Sequence, residues 1–278
     1  MGILMVEYSK ITFYSDYKLP FNFIGSTIRG AFGYGLKKVI CINPSFKCDG
    51  CFAKDNCLYY DMYEKKFNKY RYVFDLSGEL KFDLYLFEEL SNKTPYILSA
   101  LYKTYKETGI LKGRVKIDDF KILVNDEVVY DGEFRELRIE NEEIKMKIVE
   151  SNESKDITLK FITPLRIKQD GKYVRGNELN PSSILRLIYH RFLKLKDKKP
   201  QKLPFTPDIE IINKNLKFKD FGRYSNRQKT KMKLGGVIGE MKLKVDENSY
   251  NLFKLGEIIG VGKQVTFGLG NMRVIDER

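Results

Sequence analysis

The order of predicted strands and helices is the feature that most restricts how this chain can fold. Apolar residues alternate over 3–15 and recur at helical spacing over 26–40, which predicts a strand and then a helix. The patterns that follow predict two strands, a helix and a last strand, at 70–76, 80–90, 94–109 and 113–124. The order strand, helix, strand, strand, helix, strand is typical of ferredoxin-like domains.

The second half of the chain repeats much of this order. Its patterns predict a strand, a helix, a strand, a helix and a closing strand, at 157–167, 181–196, 235–246, 248–261 and 266–275. A length of 278 residues suits two domains. We therefore expect an α+β protein of two tandem ferredoxin-like (RRM-like) domains, residues 1–150 and 151–278, with a cysteine-rich knuckle inserted in the first.

Positive charge is concentrated in the second half. Residues 1–150 hold 23 Lys and Arg against 23 Asp and Glu, whereas residues 151–278 hold 27 against 14, so the whole excess of 13 lies there. Such asymmetry indicates a polyanionic partner, because Lys and Arg neutralise phosphates and release condensed counterions. No apolar run approaches the roughly 18 residues that span a bilayer, and the first residues do not look like a signal peptide, so we expect a cytoplasmic protein.

A glycine-rich passage, "GVGKQVTFGLGNMRV" at 260–274, precedes the last predicted strand. Glycine accepts positive φ and lets another backbone approach closely, so clustered glycines can cradle phosphates with their amides. A tight turn between helix and strand explains the same pattern. The candidate RNA-binding residues in this passage are Gly262, Lys263, Gln264, Gly268 and Gly270.

Four stretches together resemble the CRISPR-associated RAMP superfamily, specifically its precursor-crRNA processing endoribonucleases. They are the glycine-rich passage, "STIRGAFGYGLKKVI" at 26–40, "CINPSFKCDGCFAKDNC" at 41–57 and "RYSNRQKTKMKLGGVIGE" at 223–240. The resemblance implies binding of CRISPR repeat RNA and its cleavage with no metal at the catalytic centre. The product would be a 2′,3′-cyclic phosphate or its hydrolysed form.

The catalytic candidates depart from the family pattern, in which a histidine on or near the first helix is the general base. This chain has Tyr34 at that place, followed by Lys37 and Lys38. Nearby cations can lower the pKa of a tyrosine enough for it to act as a base. The only histidine, His190, lies on the predicted helix 181–196 with Arg186 and Lys194 at four-residue spacing, and it is a second candidate base or RNA contact.

The segment 182–233 carries 15 Lys and Arg against four acidic residues. Arg beside an aromatic ring suits contact with single-stranded RNA, where phosphates and unstacked bases are both exposed. Besides the glycine-rich passage, the RNA-binding candidates are Arg29, Arg186, Arg223, Tyr224, Arg227, Lys229, Lys231 and Lys233.

All four cysteines, Cys41, Cys48, Cys51 and Cys57, fall within 17 residues. Four thiolates around a C-x-x-C suit a structural zinc ion or an iron–sulfur cluster, and we prefer zinc. Disulfides and free thiols remain open.

The main alternative function is that of a non-catalytic RAMP subunit, which binds RNA alongside other CRISPR effector subunits without cutting it. The missing first-helix histidine favours this alternative. An iron–sulfur redox protein is a third reading, but it leaves the basic half unexplained.

Overall fold

The computed structural model describes residues 2–19, 25–74, 79–136, 138, 140–151, 153–169, 171–225 and 230–277. The chain is a mixed α+β protein with antiparallel sheets. It divides into two compact units, which we call the first unit (residues 7–142) and the second unit (residues 1–6 with 143–278). The domain boundary predicted between residues 150 and 151 is not tested by this division and stays a prediction. No helix in the described ranges is long and apolar enough to cross a bilayer.

The first unit is built around one antiparallel sheet. Its elements are β1 Ile3–Lys18, α1 Gly25–Ile40, α2 Leu58–Tyr63, β2 Tyr70–Phe74, β3 Glu79–Phe87, α3 Thr94–Tyr102, β4 Lys121–Val124 and β5 Glu127–Tyr130. The strands are ordered β2-β3-β1-β4-β5, and β6 (Glu142–Lys147) also pairs with β1. Helix α1 packs closely on the end of α3, because a Cβ on Gly35 would lie 2.0 Å from Thr104 Oγ1.

Aromatic side chains fill the core of this unit. The Phe13 ring on β1 stacks on Phe82 at 5.3 Å, on Tyr105 at 4.0 Å and on Phe120 at 5.1 Å between centroids. Phe13 and Tyr105 are fully buried, and Phe82 and Phe120 are nearly so. Aromatic pairs at these distances add about 0.5–1.5 kcal/mol each beyond the area they bury, so the ring cluster fixes how the helices sit on the sheet.

The second unit has the same strand pattern. Its elements are β7 Ser154–Leu165, β8 Lys168–Gln169, β9 Lys172–Tyr173, α4 Pro181–Leu195, β10 Ile209–Lys219, β11 Gly222–Ser225, β12 Thr230–Lys233, β13 Gly236–Asp246, α5 Glu247–Ile259 and β14 Met272–Asp276. The main sheet is ordered β10-β13-β7-β14. Asn180 caps α4 by accepting a hydrogen bond from Ser182 N.

Three predicted elements differ from the structure. The strand predicted over 113–124 is limited to Lys121–Val124, because Ile110 and Val115 bridge across a turn in which Leu111 and Arg114 take positive φ. The helix predicted to end at 109 is α-helical only to Tyr102 and continues to Thr108 as a π-helical turn.

The closing strand begins at Met272 rather than 266, since a short 3-10 turn occupies Val265–Phe267.

Strand β10 was missed altogether. Its pairing shifts register between Ile211 and Asn213, and both Ile211 and Ile212 are exposed, so the alternation that marks a half-buried strand is absent.

Candidate functional site

Tyr34 lies on the exposed surface of the first unit between two cations. Its side chain is 45% exposed, with Lys38 Nζ 4.7 Å and the Arg114 guanidinium carbon 5.4 Å from the ring centroid. Hydrogen bonds from Lys38 and Arg114 lower the pKa of the Tyr34 hydroxyl, and their positive charges act in the same direction. The surroundings therefore favour the phenolate, the form that can accept a proton.

Helix α1 and one turn of the chain bring these groups together. Lys38 lies one helical turn after Tyr34, which places the two on the same face. Arg114 comes from the turn closed by backbone hydrogen bonds between Ile110 and Val115, both 2.8 Å long. Arg114 is not among the residues that the sequence predicts for this site, because a strand was expected over 113–124. The glycines at 109 and 113 were the available signal for a turn.

Lys37 points away from Tyr34, toward the cysteines. Its Nζ donates to Cys48 Sγ at 3.3 Å and lies 4.7 Å from the Tyr59 ring centroid. Burial acts to lower the pKa of Lys37, but the hydrogen bond to Cys48 and the neighbouring Tyr59 outweigh it and raise the pKa. The structure thus joins Tyr34 with Lys38, and it places Lys37 in a different environment.

The four cysteines line one open pocket. Cys41, Cys48, Cys51 and Cys57 surround a pocket with an empty volume of ≈ 280 Å³, together with residues that include Lys37 and Tyr59. All four thiols are half-buried and free of disulfides. Within the described part of the chain, no three Cys, His or carboxylate side chains converge closely enough to hold a metal ion. The donor set suits zinc, whereas the positions of the donors do not yet form a coordination shell.

Arg29 is involved in packing rather than projecting freely. Its Nε donates to Tyr70 OH at 3.1 Å, and the guanidinium carbon lies 4.4 Å from the Tyr63 ring centroid. The Tyr63 hydroxyl in turn donates to the Arg29 carbonyl at 2.7 Å. Contact with RNA would require Arg29 to act from this half-buried position.

His190 is half-buried on α4, and its Nε2 donates to the Gln201 carbonyl at 3.2 Å. Arg186 and Lys194 lie on the same helix and are exposed, as their spacing predicted. The Arg186 guanidinium donates to Ser183 Oγ at 3.3 Å.

The glycine-rich passage is a tightly bonded turn. Gly270 has a φ of 68°, and a Cβ there would lie 1.8 Å from the Val261 carbonyl; Gly262 has a φ of 80°, and a Cβ would lie 2.8 Å from the Arg166 carbonyl. The amides of Gly268 and Gly270 donate to the carbonyls of Val265 and Pro164. An amide cradle for phosphate does not fit these two buried glycines, because their N–H groups are already bonded inside the protein.

Lys263 is exposed, and its amide donates to the Arg166 carbonyl at 2.9 Å. Gln264 is half-buried in a left-handed conformation with a φ of 65°, and its Oε1 is buried without a hydrogen-bond partner. Lys263 therefore offers the accessible cation of this turn.

The basic segment around 223–233 forms a hairpin, in which Tyr224 pairs with Lys231 and Arg223 pairs with Met232. Arg227 and Lys229 lie outside the described residues, as do the side chains of Arg223, Tyr224 and Lys231. Lys233 is exposed and pairs with Asp220 at 3.6 Å between Nζ and Oδ2.

Comparison with known proteins finds similarity to the family that the sequence motifs resemble. Residues 159–272 match the family model described as CRISPR-associated endoribonuclease Cas6, and residues 7–143 match a model described as an N-terminal domain. An uncharacterized protein of Archaeoglobus fulgidus is 26% identical over 287 residues, which cover 94% of each chain. The resemblance to CRISPR-associated RAMP proteins is thereby confirmed.

Solved structures show that the fold is similar to that of Cas6. The chain matches the Cas6 (TTHB231) product complex, a Thermus thermophilus protein, with a TM-score of 0.57 and 14% identity over 97% of this chain and 100% of the other. It matches the Cas6 (TTHA0078) product complex with a TM-score of 0.51 and 15% identity over 99% and 100%. The chain also matches one chain of a partial Cas6-RT-Cas1–Cas2 complex, with a TM-score of 0.52 and 12% identity. This match covers 98% of this chain and 46% of the other.

Proposed function

Because residues 159–272 carry a Cas6 domain of the RAMP type, we propose that this chain binds the repeat RNA of a CRISPR precursor transcript and cuts it. The observation that carries the proposal is the family match in the second unit, joined to an exposed tyrosine with a lowered pKa in the first unit. The cut would leave a 2′,3′-cyclic phosphate with no metal at the catalytic centre.

The proposal includes a tandem ferredoxin-like architecture with a cysteine-rich insertion in the first domain. Both units arrange their four main strands in one order, with the first strand between the third and the fourth. Each unit also places one helix after its first main strand and another after its third. This repetition supports an internal duplication.

For catalysis we assign Tyr34 as the general base. Its phenolate would take the proton of a ribose 2′-OH, whose oxygen attacks the adjacent phosphorus while the bond to the 5′-oxygen breaks. Lys38 and Arg114 would stabilise the charge that develops on the phosphorane, because both are cations beside the base. The leaving 5′-oxygen takes a proton from a water molecule, and the resulting hydroxide takes the proton held by Tyr34, which restores the phenolate. Lys37 receives no catalytic role, since it contacts Cys48.

RNA binding is assigned chiefly to the second unit. Lys263 and Arg186 are exposed there, and the segment 223–233 adds five Lys and Arg. Phosphate contacts by such residues give affinity that falls with salt. His190 stays a candidate RNA contact or second base in this unit, and Arg29 a candidate contact in the first.

Incubation of the pure protein with its cognate repeat RNA in EDTA tests the proposal. We expect one cut with a 2′,3′-cyclic phosphate end. We also expect Tyr34→Phe to slow single-turnover cleavage by about 10²–10⁴-fold, which is the usual contribution of a general base, with RNA affinity unchanged. Tyr96→Phe is the matched control, since Tyr96 is an exposed tyrosine at 54% on another helix of the first unit.

Three outcomes contradict parts of this proposal. Full cleavage by Tyr34→Phe would remove Tyr34, and loss of cleavage in His190→Ala with retained binding would place the base on α4. A stable, uncut complex of the wild-type protein would support the alternative, a non-catalytic RNA-binding subunit of a CRISPR effector complex. The absence of a histidine from α1 favours that alternative.

We propose that the four cysteines hold a structural zinc ion, with an iron–sulfur cluster as the alternative. The support is the chemistry of the donor set: four thiols line one pocket, and a C-x-x-C lies among them. Binding would require the thiols to turn toward a common centre. The ion would tie the segment after α1 to α2. Metal analysis of protein purified without oxygen separates zinc, iron and free thiols.

The proposal also includes a cytoplasmic location and contact with other CRISPR proteins. One solved relative is part of a Cas6-RT-Cas1–Cas2 complex, which makes an assembly of this kind a reasonable target for co-purification.

A further inference from the structure

Three cations of the second unit surround one exposed tyrosine ring. Tyr173 is 38% exposed, and its ring centroid lies 4.1 Å from the Arg166 guanidinium carbon, 5.0 Å from Lys168 Nζ and 5.7 Å from Lys263 Nζ. We call these four residues the Tyr173 cluster. Three positive charges within 6 Å of a common point produce a strong local attraction for an anion.

The backbone builds this cluster from three separate segments. Lys168 on β8 pairs directly with Tyr173 on β9, so their side chains lie on the same face of the hairpin. The Lys263 amide donates to the Arg166 carbonyl at 2.9 Å, which ties the glycine-rich passage to the end of β7. Arg166 also donates from its guanidinium to the Gly235 carbonyl at 2.8 Å. The cluster is therefore held by main-chain contacts and needs no ligand to form.

The charges of the cluster are not offset by carboxylates of the described residues. In the ranges that the structure describes, Arg166, Lys168 and Lys263 form no ion pair with Asp or Glu. Tyr250 in the same unit shows the contrast. Its ring lies 4.1 Å from Lys155 Nζ, but its hydroxyl donates to Asp276 at 3.3 Å, so a carboxylate offsets the cation there.

The tyrosines respond to these surroundings in opposite directions. Burial and then the hydrogen bond to Asp276 raise the pKa of Tyr250. Burial acts to raise the pKa of Tyr173 as well, but the hydrogen bond from Arg166 and the charges of Arg166, Lys263 and Lys168 outweigh it and lower the pKa. The cluster thus stabilises negative charge at its centre.

We propose that the Tyr173 cluster is a phosphodiester-binding site for single-stranded RNA, with Arg166, Lys168 and Lys263 as the phosphate contacts. Tyr173 is the positioning residue, since its ring holds the three cations together through cation–π contacts. The inference deepens the proposed function by naming a site on the second unit where the RNA backbone is held. It rests on RNA being the ligand and not on any role in cleavage.

Affinity for a fluorescent oligouridine, measured against salt concentration, tests the site. Lys168→Ala should reduce the slope of log K against log[salt] by about 0.7, the value for one phosphate contact on a single strand. Lys172→Ala is the matched control: it is an exposed neighbouring lysine that pairs with Gln169, so it lies on the opposite face of the same hairpin. We expect its slope to equal that of the wild type.

The role of the ring is tested separately. Tyr173→Phe should keep the affinity, and Tyr173→Leu should weaken it several-fold, because only the phenyl ring preserves the cation–π contacts. The proposed site is contradicted if Lys168→Ala has the same salt slope, and Tyr173→Leu the same affinity, as Lys172→Ala. It is also contradicted if the wild-type protein does not bind oligouridine. Failure to cut repeat RNA while these slopes behave as expected would instead refute the proposed cleavage and leave the binding site standing.

Discussion

The variant Gly270→Ala tests whether close backbone packing is the reason for a glycine at this position of the glycine-rich passage. Gly270 takes a φ of 68°, and an added Cβ would lie 1.8 Å from the Val261 carbonyl oxygen, which no side-chain rotation can relieve. The matched control is Gly171→Ala in the same unit. Gly171 has a similar φ of 79°, but a Cβ there would meet nothing within 4 Å.

The structure allows the two costs to be separated. A left-handed conformation costs an alanine about 1–2 kcal/mol, and both variants share this term. At Gly270 the chain must also move, which strains the hydrogen bonds from Val261 N to the Gly270 carbonyl and from Gly270 N to the Pro164 carbonyl, each 3.1 Å long. Each is worth about 1 kcal/mol, and more when a buried group is left unpaired.

We therefore expect a loss of about 1–2 kcal/mol in the free energy of unfolding for Gly171→Ala and of at least about 3 kcal/mol for Gly270→Ala. Urea denaturation followed by circular dichroism measures both, with equal m-values as the check that only stability changed. If the two variants unfold within about 1 kcal/mol of each other, close packing does not explain Gly270. A phosphate-cradling role would then regain support.

Two further predictions concern the first unit. Lys38→Ala removes the hydrogen bond and the charge that lower the pKa of Tyr34, so this pKa should rise. The ascending limb of the pH–rate profile of single-turnover cleavage should then move to higher pH. An unchanged profile would show that Lys38 does not act on the base. If the cysteines hold zinc, a chelator should lower the melting temperature of the wild-type protein, since bound metal contributes to folding free energy. The control variant Ser45→Ala should respond in the same way. The double variant Cys48→Ser, Cys51→Ser should not respond. Equal melting temperatures with and without chelator would contradict the zinc proposal.

Some of the fold was readable because it depends on local pattern. Helices α1 and α4 fall where apolar residues recur at helical spacing, and the ends of α4 were predicted to within one residue. Strand β10 escaped prediction because its bulge and exposed isoleucines break the alternation.

The residues of the candidate site also differ in whether the local sequence pattern predicts them. Tyr34 was found because it stands where the family pattern has a histidine, and Lys38 because it follows one helical turn later. Arg114 was not, because a strand was expected over 113–124, whereas Arg114 reaches Tyr34 from a turn in which it takes positive φ. Lys37 was grouped with Lys38, yet one residue of helix rotates a side chain by about 100°, and this step directs Lys37 to Cys48 instead.

The sequence by itself therefore determined the order of the main elements except β10, the imbalance of charge, the cysteine cluster and the family motifs. All of these are read from spacing along the chain or from counting residues. Tertiary structure alone decided that Arg166, Tyr173 and Lys263 meet, and that the glycines of the passage serve a bonded turn. Lys263 lies 90 positions from Tyr173 and 97 from Arg166, and only the register of the folded backbone makes them neighbours.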